Sequence, residues 1–85
     1  MNELPRYQAL IPTLISVLAD AGRPLSNSEI EERIILQLDI PDQLVQQIHS
    51  GRRTELQYRL AWARTKAKSD GKIVSPARET WALNI

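Results

Sequence analysis

The chain has 85 residues, enough for one domain, with 42% hydrophobic and 25% charged residues, the proportions of an ordinary soluble fold. It lacks cysteine, which excludes disulfides and thiolate metal sites, and it has no apolar run near the roughly 20 residues of a membrane span. Its formal net charge of +1 hides an asymmetry: residues 1–50 carry three basic against seven acidic side chains, residues 51–85 eight against three, so the C-terminal part is the end that attracts polyanions.

Tyr7, Leu10, Ile11, Leu14, Ile15 and Leu18 recur at helical spacing and predict a first helix over about 7–21. Pro12 lies inside this pattern, so either the helix kinks there or it begins near Pro12 after a loose first turn. Gly22 and Pro24 end it, and Leu25 between them and the next helix reads as a strand of two or three residues. Ser26-Asn27-Ser28-Glu29 has the spacing of a capping box, with Ser26 as N-cap. The helix behind it spans about 27–38, with Ile30, Ile34 and Leu38 on one face. Pro41 breaks it, and Leu44, Val45 and Ile48 predict a short helix over 42–48, followed by a loop over His49–Arg53. A third long helix is expected over 54–69. Its Leu56, Leu60, Ala63 and Ala67 fall within roughly 60° of one another on the helical wheel. Past Gly71 the period changes to two, and the strands 72–75 and 80–84 around a Pro-containing turn predict a hairpin.

The result is a mainly helical α+β chain: three main helices, a short one, and a C-terminal β-hairpin. This is the order of a winged helix-turn-helix, with the third long helix as recognition helix and the hairpin as wing. That helix is also the most basic, with Arg59, Arg64, Lys66 and Lys68, and Arg52 and Arg53 stand at its entrance. Opposite its apolar stripe lie Thr54, Tyr58, Ala61 and Thr65, flanked by Gln57, Arg64 and Lys68 on one side and by Arg59, Trp62 and Lys66 on the other. Arginine and glutamine can read base edges, whereas lysine and threonine suit phosphates. The expected double-stranded-DNA-binding residues are therefore Arg52, Arg53, Thr54, Gln57, Tyr58, Arg59, Arg64, Lys68 and Arg78, with Gln57 and Tyr58 as the first base readers. Trp62, about 130° from the centre of the stripe on an ideal helix, either packs under the hairpin or stacks with Tyr58. Packing is preferred, because large aromatics in small domains are usually core, and Trp81 is expected there too. His49 stands without cysteine or a second histidine, and it reads as a loop residue, not a metal ligand.

Tyr58-Arg59-Leu60-Ala61-Trp62-Ala63-Arg64-Thr65, the later Asp70-Gly71-Lys72-Ile73-Val74-Ser75-Pro76-Ala77-Arg78, and Thr80-Trp81-Ala82-Leu83 together resemble the N-terminal domain of Mrr-type restriction proteins. Ile11-Pro12 and Pro24-Leu25-Ser26 before Glu29-Ile30 agree with it. The resemblance implies a winged helix that binds DNA, commonly fused to a C-terminal nuclease domain of the PD-(D/E)xK type, in proteins that restrict modified, often methylated, DNA. It carries over Arg59 and Arg78 as DNA-facing or wing-anchoring residues. The sequence departs from the family at Glu79, where a glycine usually follows the wing arginine, and an acidic group there opposes phosphate contact.

Catalysis by this chain is not expected: its carboxylates crowd one helix start, it has one histidine, and no glycine-rich phosphate loop or cofactor motif is present. The rival reading is a winged-helix module for protein–protein interaction or dimerisation, docking through the acidic first half or the Tyr58/Trp62 face. A homodimer and a fused nuclease domain stay open, and the close of the chain just after the last strand creates the expectation of a longer parent. The N-terminus lacks the basic-then-apolar layout of a secretory signal, from which a cytoplasmic location is expected.

Overall fold

Leu10, Leu14, Val17 and Leu18 are buried along one side of the first helix, α1 (Tyr7–Ala21), in the computed structural model, which describes residues 1–85. The helix runs unbroken through Pro12. Proline supplies no N–H to the Gln8 carbonyl, but both residues are exposed, on the side of the helix open to solvent. Gly22, at φ 64°, ends α1 in the left-handed conformation and donates its N–H to the Leu18 carbonyl.

Strand β1 (Leu25–Ser26) leads directly into α2 (Asn27–Leu38). The capping box is formed: the Ser26 hydroxyl accepts from the Glu29 N–H at 3.1 Å, and the Glu29 carboxylate accepts from the Ser26 N–H at 3.0 Å. Arg23 donates to the other oxygen of that carboxylate at 2.8 Å. The Arg23 hydrogen bond, followed by the Ser26 backbone N–H, lowers the Glu29 carboxyl to about 2. Asp39 closes α2 at φ 52°, a left-handed position that a short polar side chain tolerates.

Helix α3 (Asp42–Val45) is one turn and stops short of the expected residue 48. The segment expected as a loop is instead a second, smaller hairpin. β2 (Ile48–Ser50) and β3 (Arg53–Thr54) pair antiparallel around Gly51, with Ile48 opposite Thr54 and Ser50 opposite Arg53. This small hairpin feeds α4 (Glu55–Ser69), whose buried stripe is Leu56, Leu60, Ala63 and Ala67.

Strands β4 (Ile73–Ala77) and β5 (Thr80–Leu83) form the C-terminal hairpin, and β1 joins it to give a three-stranded antiparallel sheet in the order β1-β5-β4. Ile73 faces Leu83, and Leu25 faces Trp81. Pro76 is tolerated because β4 is an edge strand, irregular between Val74 and Ala77. There the Ser75 hydroxyl meets the Ala77 and Thr80 carbonyls, each at 2.9 Å. The core is wholly hydrophobic and continuous. It draws on α1, α2, α4, Leu25 and Ile73, with Leu4 and Ile40 at its margins. Each large aliphatic side chain buried there is worth about 1.5–3 kcal/mol.

Trp62 corrects a second expectation. It remains 49% exposed and packs under no hairpin, leaning instead on Tyr7 of α1 with ring centroids 6.2 Å apart. Its position lies too far round α4 from the buried stripe for the sheet to cover it. Trp81 is half-buried against the core, and its indole N–H donates to the Asn27 side chain at 2.7 Å.

Candidate nucleic-acid interface

The start of α4 is fixed by a second capping box. The Thr54 hydroxyl accepts from the Gln57 N–H, and the Gln57 side-chain oxygen accepts from the Thr54 N–H, each at 3.1 Å. The Gln57 side-chain amide then donates to Glu31 of α2 at 3.3 Å. Thr54 and Gln57 are thus committed to the helix start, and Gln57 offers a base only what those bonds leave free. Threonine, two residues and glutamine is the spacing of this motif, so the signal was present in the sequence.

The cations of α4 divide into two sets. Arg59 turns toward the N-terminal segment, donating to the Leu4 and Pro5 carbonyls at 2.8 and 3.0 Å and to Glu55 at 2.8 Å. Lys66 pairs with Asp70 at 3.3 Å. Arg64 and Lys68 make no ion pair. Both lie over the Trp81 ring, 5.8 and 5.9 Å from its centroid. Arg52 and Arg53, exposed where β2 turns into β3, and Arg78, exposed between β4 and β5, make none either.

Arg53 and Arg64 share a cleft of about 210 Å³ with Asn27, Glu31 and Gln57, between α4 and the start of α2. Partial burial, followed by the nearby Arg53 charge, lowers the Arg64 pKa, while Glu31 and Glu79 act in the opposite direction. The turn carrying Arg78 is held at the same end of the molecule, because the Glu79 carbonyl accepts the Asn27 N–H at 3.0 Å. Glu79 adopts φ 53°, a conformation natural to glycine.

Tyr58 stacks on His49, with ring centroids 3.8 Å apart and planes 12° apart, and the Arg53 guanidinium lies 5.7 Å from its centroid. His49 also bonds Glu55 at 2.9 Å. Hydrogen bonds to Arg59 and then to His49 hold the Glu55 carboxyl below the usual carboxylate range. His49 is therefore a strand residue that braces Tyr58, a role its sequence surroundings did not reveal. Asn27, which anchors Trp81, was missed for a plainer reason: the two are 54 positions apart.

Of the expected DNA-binding residues, the fold gathers Arg53, Gln57, Arg64 and Lys68 along one side of α4, with Tyr58 beside Arg53. It holds Arg52 and Arg78 at two turns and takes Arg59 away to the N-terminal segment. No three acidic or histidine side chains gather closely enough to hold a metal ion, and no helix is long and apolar enough to cross a membrane.

The profile of the Mrr N-terminal domain matches residues 7–84. The chain belongs to that family. No curated protein and no solved structure matches it. The match begins with α1 and ends just past β5, so every helix and strand of the fold is part of the Mrr N-terminal domain.

Proposed function

We propose that this Mrr N-terminal domain is a winged helix-turn-helix that binds duplex DNA for an Mrr-type restriction system. In this reading α4 enters the major groove, β4–β5 is the wing, and the domain has no catalysis of its own. Modified, including methylated, duplexes are the substrates to screen first, and the cytoplasm is where they would be met. The carrying observation is that Arg52, Arg53, Arg64, Lys68 and Arg78 have no carboxylate partner. Two of them, Arg53 and Arg64, share one cleft, where an arriving phosphate relieves their mutual repulsion.

Salt titration tests this. If all five cations meet phosphates, the log–log slope of affinity against salt is about −4.5, and affinity falls about 500-fold between 50 and 200 mM salt. Fluorescence anisotropy with a labelled duplex measures both. The half-exposed Trp62 beside Tyr7 favours a second reading, a protein-docking module, since exposed tryptophans anchor protein interfaces. Absence of duplex binding at 50 mM salt supports that reading and rejects the first.

A further inference from the structure

Trp62, Tyr58, Ala61, Thr65 and Arg53 line a shallow groove of about 310 Å³ on the outer side of α4. Nothing in the core requires an aromatic residue there, because Trp62 is half-exposed. Yet both rings are held from behind, Tyr58 by the stacked His49 and Trp62 by Tyr7. Rings already held in place lose little freedom when they meet a ligand.

Beside the two rings, the Ala61 and Thr65 wall of the groove offers no free hydrogen-bond donor. The Thr65 hydroxyl donates back to the Ala61 carbonyl at 2.9 Å, and Ala61 offers only a methyl. Such walls suit the flat face of a ring better than its polar edge. Arg53 is the one cation at the groove, without a carboxylate partner, and it also lines the cleft shared with Arg64. A strand whose phosphate meets Arg53 therefore has its base beside the groove.

We propose that this groove is a stacking site for a single unpaired nucleobase, with Trp62 as its platform. The inference rests on the DNA-binding reading and adds a preference to it. Inside a paired duplex both faces of a base are covered by neighbours, so only a bulged, mismatched or extruded base has a face to offer. Stacking of this kind tolerates any base identity, because every base has a π-face.

The test uses the 85-residue chain and two labelled duplexes of equal length, one fully paired and one with a single bulged thymidine. Anisotropy titrations compare the parent with Trp62→Ala and Trp62→Phe. The expected result is that the parent binds the bulged duplex at least about fivefold tighter. Trp62→Ala removes that preference while keeping affinity for the paired duplex within about twofold, and Trp62→Phe, which keeps a ring, retains most of it. Equal binding of both duplexes by the parent overturns the stacking site and leaves DNA binding standing, as does a preference that survives Trp62→Ala. Binding of neither duplex overturns both readings together.

Discussion

Arg59→Ala and Arg64→Ala are the same chemical change five residues apart on one helix, and the structure gives them opposite consequences. Arg59 donates charged hydrogen bonds to the Leu4 and Pro5 carbonyls at 2.8 and 3.0 Å. Such bonds are worth about 1.5–3 kcal/mol each when water is excluded. The Arg59 side chain is 32% exposed, so screening brings the pair down to about 1–3 kcal/mol in total. Losing them frees the segment that seats Leu4 at the core margin. For a domain of this size each kcal/mol shifts Tm by about 4–8 °C, so the expected fall is about 4–24 °C. Affinity for duplex DNA should stay within about twofold of the parent, because Arg59 is bonded to Glu55 and the N-terminal segment and is not one of the free cations.

Arg64→Ala should do the reverse. Removing one phosphate contact changes the salt slope by about 0.9 and weakens binding about eightfold at 0.1 M salt. Arg64 has no ion pair to lose, so its Tm should stay within about 3 °C of the parent. Thermal melts by circular dichroism and anisotropy titrations on one duplex at several salt concentrations read both quantities for both variants. An Arg59→Ala variant with parental Tm and an eightfold loss of affinity would refute the division of the two residues. So would an Arg64→Ala variant with the parental slope.

Three further outcomes are expected. Thr54→Ala removes the N-cap of α4 and should cost about 1 kcal/mol, seen as a Tm about 4–8 °C lower in a melt. Glu29 is held at about 2 in the folded chain against an ordinary 4.5, so its contribution is full above that ordinary value and is lost as pH falls toward 2. Glu29→Gln should therefore have a lower Tm at pH 7 and a shallower decline in Tm from about pH 5 to pH 2. Glu79→Gly replaces a left-handed glutamate with the residue suited to that backbone, and it removes a carboxylate near Arg64. Relief of strain offsets the greater freedom of the unfolded chain, so Tm should hardly move, while anisotropy should show affinity rising about two- to fourfold.

What was legible in the sequence was local or periodic. The buried stripes of α1, α2 and α4 follow from residues three and four apart, and the Ser26–Glu29 box from a spacing of three. The β2–β3 pair was hidden because strands of three and two residues are too short to show alternation, and their only apolar member, Ile48, is exposed. Within the candidate site the wheel placed side chains around α4 but not what they touch. The carbonyl partners of Arg59 are more than 50 positions away, and the ring against Trp62 and the side chain bonded to the Trp81 indole are just as far. Such contacts leave no trace in spacing, and only the Glu55–Arg59 interval of four marked Arg59 as other than a free cation.

Those partners also sharpen the case for a polyanion. Glu55–Arg59 and Lys66–Asp70 are opposite charges four apart, the arrangement that steadies a helix. Arg64 and Lys68 are also four apart but carry the same charge, and Arg53 stands near Arg64 with the same sign again. Like charges at that spacing cost about 0.2–0.5 kcal/mol in a helix. The Trp81 ring beneath both side chains offsets part of this, since its face attracts cations. A local arrangement that works against stability, on a helix that elsewhere pairs its charges, is what the proposed DNA-binding reading accounts for. On that reading, a phosphate chain along this side of α4 would turn three repulsive neighbours into one continuous set of contacts.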